Sequence, residues 1–244
     1  MGGLAKGLAI IEAFGPLRTQ LTVSEAAAQS ATTPAAARRC LLTMVDLGYL
    51  SHDGKYFRPT PRMMRLAAAY SSSAPVPLLA QPCLQAVHDE LDESASLAVL
   101  DGDDSLFVAR AEAARIVSAG VRVGAALPLH ASATGRVLLA ALPDDELDER
   151  LRRARPQRNT PNTLVTVADI RDRVHRARAD GFALTDEELE FGMRTMAVPV
   201  VDCTGRTYGS MSVSAFSARV PMETMLSRFL DVLKREAARL GKML

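Results

Sequence analysis

Apolar positions recur at helical spacing in the first fifty residues. Leu4, Leu8 and Ile11 share one face of LAKGLAIIEAF, which predicts a first helix over 4–14 stopped by Gly15-Pro16. Val23, Ala26 and Ala27 give a second, narrow-faced helix, with Thr22 or Ser24 able to cap it. Thr33 caps a third helix with Pro34 at its first position, where a missing N–H costs nothing. Ala37, Leu41 and Met44 form the buried stripe of that helix, Arg38 and the small residues Ala35 and Ala36 lie off it, and Gly48 ends it. The runs Tyr49–His52 and Lys55–Arg58 flank Asp53-Gly54, a strong hairpin signal. Helix, turn, helix and hairpin is the order of a winged helix-turn-helix. Its last helix enters the major groove and its hairpin lies along the DNA backbone. A solvated helical hairpin is the plainer reading of the same spacing.

The remaining pattern mixes helices and strands. A short helix over 62–70 leads to Ser71–Pro77, the clearest linker composition in the chain, so the expected division is a DNA-binding domain 1–62, a linker 63–77 and a second domain 78–244. After a helix at 78–91 come three strand-like runs, Ser94–Leu100, Ser105–Ala111 and Ile116–Gly124. Helices follow at 132–142, 143–153 and 167–180, then extended runs at 182–185, 194–202 and 207–217. A last helix covers 222–243, with Met222, Leu226, Phe229 and Leu233 near one face. This order predicts a mixed α/β domain around one largely antiparallel sheet.

Charge sharpens the division. Residues 1–62 carry seven Lys/Arg against four Asp/Glu, and residues 63–244 carry 22 against 24. Nucleic-acid contact is therefore expected at the N-terminus only. Three widely spaced cysteines (Cys40, Cys83, Cys203) without a CxxC motif predict reduced thiols and no zinc site. The absence of a signal-peptide pattern and of any long apolar span predicts a soluble, cytoplasmic protein with no membrane partner.

Three stretches suggest ligand chemistry in the second domain. Ser210, Ser212 and Ser214 alternate with Met211, Val213 and Ala215, so one strand face carries only hydroxyls, either to grip a small carboxylate or to meet solvent. His130-Ala131-Ser132-Ala133-Thr134-Gly135-Arg136 joins a strand end to a helix start, whose free N–H groups attract anions. Asp186–Thr195 packs four acids and Arg194 around a glycine turn. Paired acids permit general acid–base work, but no catalytic triad, phosphate loop or metal motif accompanies them, so neither catalysis nor a cofactor is expected. A carboxylate ligand is expected at the N–H groups of Ala133–Gly135 and the hydroxyl of Ser212 or Ser214. Arg122 or Arg194 would pair with it, Arg194 turning to Asp186 in an empty site, while Leu129, Met196 or Met211 would cover an aromatic ring.

Over essentially its whole length the chain resembles the IclR family of bacterial transcriptional regulators. The carrying segments are SEAAAQSATTPAAARRCLLTMVDLGYL, DGKYF, ESASLAVLDGDDSLFVAR, LPLHASATGRVLLAAL, DEELEFGMRTMAVPV and SMSVSAFSARV. Its recognition-helix and HA…GR segments look most like the β-ketoadipate-pathway branch, whose effectors are protocatechuate, 4-hydroxybenzoate, β-ketoadipate and related acids. The resemblance implies an α+β protein: an N-terminal winged helix-turn-helix joined by a linker helix to a GAF-like effector domain, forming dimers or tetramers on a palindromic operator. It carries DNA contact to Thr33, Pro34, Ala36, Arg38, Arg39, Lys55, Tyr56 and Arg58. Effector contact is carried to the segment from His130 through Ala133, Thr134 and Gly135, and to Asp186, Thr195, Ser212 and Ser214. Where the family's turn has glycine and an aliphatic residue, this chain has Ala31-Thr32, and alanine costs more there if the backbone is left-handed. The competing readings are a small-molecule hydrolase built on His130 and the acidic turn, with the N-terminal domain as a docking module, and a protein–protein adaptor that binds no duplex.

Overall fold

The computed structural model describes residues 2–15, 17–73, 76–113 and 121–244. The chain forms two compact units, Met1–Ala74 and Pro75–Leu244.

In the first unit, α1 (Gly3–Glu12), α2 (Val23–Gln29) and α3 (Pro34–Asp46) precede a hairpin of β1 (Leu50–His52) and β2 (Phe57–Pro59), and α4 (Met64–Ser73) follows. Local chemistry sets the helix ends. Thr22 Oγ1 accepts from the Glu25 N–H at 3.3 Å while Glu25 Oε2 accepts from the Thr22 N–H at 2.7 Å, a complete capping box. Thr33 Oγ1 accepts from the Ala36 N–H at 3.3 Å. At the far end of α3, Gly48 is left-handed, and the Tyr49 N–H reaches back to the Met44 carbonyl at 2.8 Å. Ala31 is also left-handed, with φ +48°, and the Thr32 N–H closes the α2 cap on the Ala27 carbonyl at 3.0 Å. A polar pair stands where an aliphatic plug was expected: Ser30 Oγ donates to the Ala26 carbonyl at 2.7 Å and lies 3.0 Å from Thr32 Oγ1.

The core of this unit joins Ala26, Ala37, Leu41, Met44, Leu50 and Phe57 to Ile10 and Leu21. Leu41 is fully buried, so truncating it to alanine costs about 2–5 kcal/mol. Three sequence expectations change. On α1 the buried side chain is Ile10; Leu4 and Leu8 are 78% and 47% exposed and line an open groove, because α1 turns its Ile10–Ala13 side to the core. Ala36 is buried and lines that same groove, where an exposed position off the stripe was expected. The hairpin pairs His52 with Phe57, so the turn is Asp53–Tyr56 and not Asp53-Gly54 alone. Phe57 explains the shift: it must enter the core, and it exchanges two backbone hydrogen bonds with Leu21 at 2.8 and 3.0 Å.

The second unit begins with α5 (Val76–Leu91), β3 (Ser94–Asp101), β4 (Asp104–Ala111) and β5 (Ala126–Pro128). It continues through α6 (Ala133–Ala140), α7 (Asp144–Arg153), α8 (Val167–Asp180), β6 (Ala183–Asp186), β7 (Met193–Val201) and β8 (Thr207–Phe216). It closes with α9 (Met222–Thr224), a π-helical turn (Met225–Phe229) and α10 (Leu230–Gly241). Six strands form one antiparallel sheet in the order β5-β4-β3-β8-β7-β6. Most of the run Ile116–Gly124, expected as a strand, lies outside the described residues; its described end is turn, and β5 takes the sheet edge.

One sheet face (Leu97, Met196, Met211, Val213) packs against Leu84 and Val87 of α5, Phe229 of the π-helical turn and Leu233 of α10. The π-helical turn shifts the phase of the final helix, burying Met225 and leaving Leu226 exposed. The opposite face, where the hydroxyls project, is covered: Ala183 and Ala197 meet Ala133 and Val137 of α6. The hydroxyl face is thus an interior surface, with Ser210 and Ser212 buried on it and Ser214 half-buried. Pairing is regular except where β3 and β4 slip. Leu97 pairs with Ala109 and Ala98 with Phe107, leaving Val108 as an extra residue. Among the described residues, no helix is long and apolar enough to cross a membrane.

Candidate functional site

In the first unit Arg38 and Arg39 are exposed on α3 and form no ion pair with another described residue. Thr33 and Pro34 are exposed at its N-terminal end. Lys55 Nζ sits 4.8 Å from the centre of the Tyr56 ring, so the two side chains touch in the turn of the wing. Arg58 does something else. Its Nη1 donates to Asp53 Oδ2 at 2.6 Å and its Nη2 to Gln20 Oε1 at 2.7 Å, so it braces the wing. Asp53 Oδ1 also accepts from the Lys55 and Tyr56 N–H groups at 3.0 and 2.8 Å. These bonds, the Tyr56 N–H foremost and then Arg58, hold the Asp53 carboxyl well below the usual carboxylate range.

In the second unit a cavity of about 50 Å³ opens on the buried hydroxyl face. Of the residues expected to hold an effector, Ala133, Thr134, Thr195 and Ser214 line it. Thr195 and Ser214 are register partners with hydroxyl oxygens 3.0 Å apart, and Thr134 Oγ1 lies 2.7 Å from Ser105 Oγ. The other walls include Phe107 and Arg110 of β4, Leu127, Thr185, Leu189 and Glu190 of the acidic loop, and Met193 at the start of β7.

Six expected residues stand elsewhere. Ser212 is buried one pairing row further along the sheet, opposite Ser96, and does not line the cavity. The Gly135 N–H is already given to Ser132 Oγ at 3.1 Å. Gly135 instead permits close packing: a Cβ there would lie 2.3 Å from Leu129 Cα. His130 opens onto a separate cavity beside Arg150 and Gln157, where burial pushes its pKa down. Arg194 and Asp186 bind each other at 2.8 and 3.0 Å, and Arg194 Nη1 also donates to the Val220 carbonyl at 2.7 Å. Arg122 lies in a turn, its carbonyl accepting from the Ala125 N–H at 2.9 Å, and does not line the cavity. The proposed ring covers move too: Met196 and Met211 point into the opposite core, and Leu129 packs among Leu138, Leu147 and Ile170.

Three of the four acids of this segment, Asp186, Glu187 and Glu188, are engaged. Glu188 forms a buried bidentate pair with Arg136, whose Nε donates to the His130 carbonyl at 3.1 Å. Arg136 is thus a buried clamp between the start of α6 and the loop. Glu187 accepts from Ser217 Oγ at 2.7 Å. With His130 on another cavity and these acids engaged, the hydrolase constellation is not assembled.

Arg110 carried no signal in the sequence, yet it is the most unusual group in the cavity. Its side chain is 6% exposed. Nη1 donates to Ser96 Oγ at 2.9 Å, while Nε and Nη2 are buried with no hydrogen-bond partner among the described residues. Strict alternation would put Phe107 and Arg110 on opposite faces of β4. The extra residue Val108 flips the phase between them, so both line the cavity.

Known proteins share this architecture. The family model described as IclR helix-turn-helix domain matches residues 3–54, and that described as bacterial transcriptional regulator IclR C-terminal matches residues 68–241. The chain is 38% identical over 234 residues to the Pca regulon regulatory protein of Pseudomonas putida, covering 96% of this chain and 80% of that one. A transcriptional regulator from Rhodococcus sp. RHA1 superposes with a TM-score of 0.84 at 38% identity, covering 98% and 96% of the two chains. An IclR homologue from Microbacterium hydrocarbonoxydans, crystallised with 4-hydroxybenzoate, superposes at 0.82 with 25% identity over 98% of each chain. With both units matched, the chain belongs to the IclR family of bacterial transcriptional regulators.

Proposed function

We propose that this regulator reads a palindromic operator as a homodimer or homotetramer and responds to a small aromatic or dicarboxylic acid held between β4, β7, β8 and α6. In this reading residues 1–62 bind DNA, 63–77 link, 78–244 sense, and the protein works in the cytoplasm, where its operator is. Thr33, Pro34, Arg38 and Arg39 of α3 would face the major groove, with Lys55 and Tyr56 on the flanking backbone. The observation that carries the sensing half is the cavity itself: an enclosed polar-and-apolar site on the buried hydroxyl face, in a chain whose Microbacterium homologue was crystallised with 4-hydroxybenzoate. At about 50 Å³ the cavity is far smaller than the roughly 300–1,000 Å³ of a pocket that encloses a small ligand. An aromatic acid must therefore displace a wall, which couples occupancy to movement of the loop carrying Leu189. The acid shifts operator occupancy only as far as it binds one arrangement better than the other.

Duplex binding by the full chain, measured against salt with and without 4-hydroxybenzoate, tests this. Affinity should fall steeply with salt, and Arg38→Ala should weaken it while leaving the acid's affinity unchanged. A flat salt response, or an acid that alters neither melting temperature nor operator affinity, would refute the corresponding half.

A further inference from the structure

We propose that Arg110 is the anchor for the effector's carboxylate and the residue that selects an acid over a neutral molecule of the same shape. The inference rests on the reading that this cavity is the effector site. Its basis is the pattern of occupied and vacant donors on one side chain. Ser96 Oγ takes Nη1 at 2.9 Å, while the buried Nε and Nη2 have no hydrogen-bond partner among the described residues. Those two nitrogens form one edge of the guanidinium, with parallel N–H bonds at the spacing of the two oxygens of a carboxylate. Glu112 forms a long ion pair, its Oε1 3.9 Å from Nε and beyond hydrogen-bond reach, on a side chain 53% exposed. The cation is desolvated, and the exposed Glu112 compensates its charge only weakly at that distance. Burial draws its pKa below the ordinary arginine value, but an arginine stays protonated.

The surroundings complete the selection. Phe107, Leu127, Leu189 and Met193 offer an apolar body-binding wall, and the Thr195–Ser214 hydroxyl pair offers a second polar contact. Glu190 also lines the cavity and disfavours a second carboxylate on the ligand. The favoured ligand is an apolar or aromatic monocarboxylate with a hydroxyl, in preference to an aliphatic dicarboxylate. The N–H groups of Ala133–Gly135 are then not the principal anchor.

The experiment compares two acids, 4-hydroxybenzoate and protocatechuate, with their amides, using melting temperature and titration calorimetry on the full-length wild type, Arg110→Gln and Arg110→Lys. Wild type should bind an acid and discriminate strongly against its amide. Arg110→Gln should lose acid affinity by roughly 10–100-fold, the range for hydrogen bonds to a charged group. It should also bind acid and amide alike, and melt no lower than wild type without ligand, since a desolvated charge is gone. Arg110→Lys should keep the preference for acid with reduced affinity, because it supplies charge without the parallel donors. If Arg110→Gln fails to fold, the acid-to-amide ratio of Arg110→Lys decides, and wild-type affinity in that variant overturns the bidentate contact. Unchanged acid preference in Arg110→Gln overturns the proposal and leaves the effector-site reading standing. Wild type that binds neither acid overturns both.

Discussion

Ala31→Gly should stabilise the DNA-binding unit. Ala31 occupies the position after the α2 cap with φ +48°, and the Thr32 N–H bonds to the Ala27 carbonyl at 3.0 Å, the arrangement that glycine usually terminates. An L-residue held left-handed costs roughly 1–2 kcal/mol. Glycine removes that cost but loses more backbone freedom on folding, about 0.5–1 kcal/mol against alanine. The net gain is therefore about 0.5–1 kcal/mol, which for a unit of this size is a rise of about 2–8 °C in its melting temperature. Tyrosine fluorescence is a suitable probe, because there is no Trp and, of the 4 tyrosines, only Tyr208 lies outside the first unit. Ala31→Val is the opposing control: a β-branched side chain is disfavoured in this conformation and should lower the same transition. Neutral or lowered stability in Ala31→Gly, together with an unaffected Ala31→Val, would refute a left-handed Ala31 in solution.

Other consequences follow from the geometry. Gly135→Ala places a Cβ 2.3 Å from Leu129 Cα and 2.4 Å from its carbonyl oxygen, both backbone atoms. The second unit should lose about 3 kcal/mol or more, read by denaturant unfolding, and wild-type stability would mean that α6 packs otherwise. Ser214→Ala with Thr195→Val should weaken acid binding in calorimetry while Ser212→Ala leaves it unchanged, because only the first pair lines the cavity; equal losses would place Ser212 in the site. The wing should be acid-sensitive. The Asp53 carboxyl is held below its ordinary value, so its contribution is full above the unfolded-state pKa of about 3.9 and fades as pH falls toward the folded one. Asp53→Asn should flatten that acid dependence in melts of the first unit, and an unchanged pH profile would dissociate Asp53 from it.

The DNA-binding unit is legible in the sequence because its signals are local. The Thr22 cap, the Thr33-Pro34 start and the Gly48 stop each depend on residues within a few positions and form as expected, whereas the hairpin turn lengthens to Asp53–Tyr56. The antiparallel sheet was legible for the same reason, through the alternation of Ser210, Ser212 and Ser214 with core residues. The choice of face was not legible. Whether a hydroxyl row meets water or another layer depends on α6, which arrives from a distant part of the chain and buries it. Leu4, Leu8 and Ile11 made as good a stripe on α1 as Ile10 and Ala13, and only packing chose between them. His130 belongs to the right segment but points to another cavity, and Ser212 belongs to the right strand but the wrong row. Arg110 shows the limit most clearly. Alternation alone sets it across the sheet from Phe107, and one unpaired residue at Val108 reverses that assignment. The sequence by itself determined where helices begin and end and which strands alternate, because those depend on neighbours along the chain. The tertiary structure decided which side chains share a cavity, because a single bulge or one helix laid across a sheet changes the facing of residues that no local pattern distinguishes.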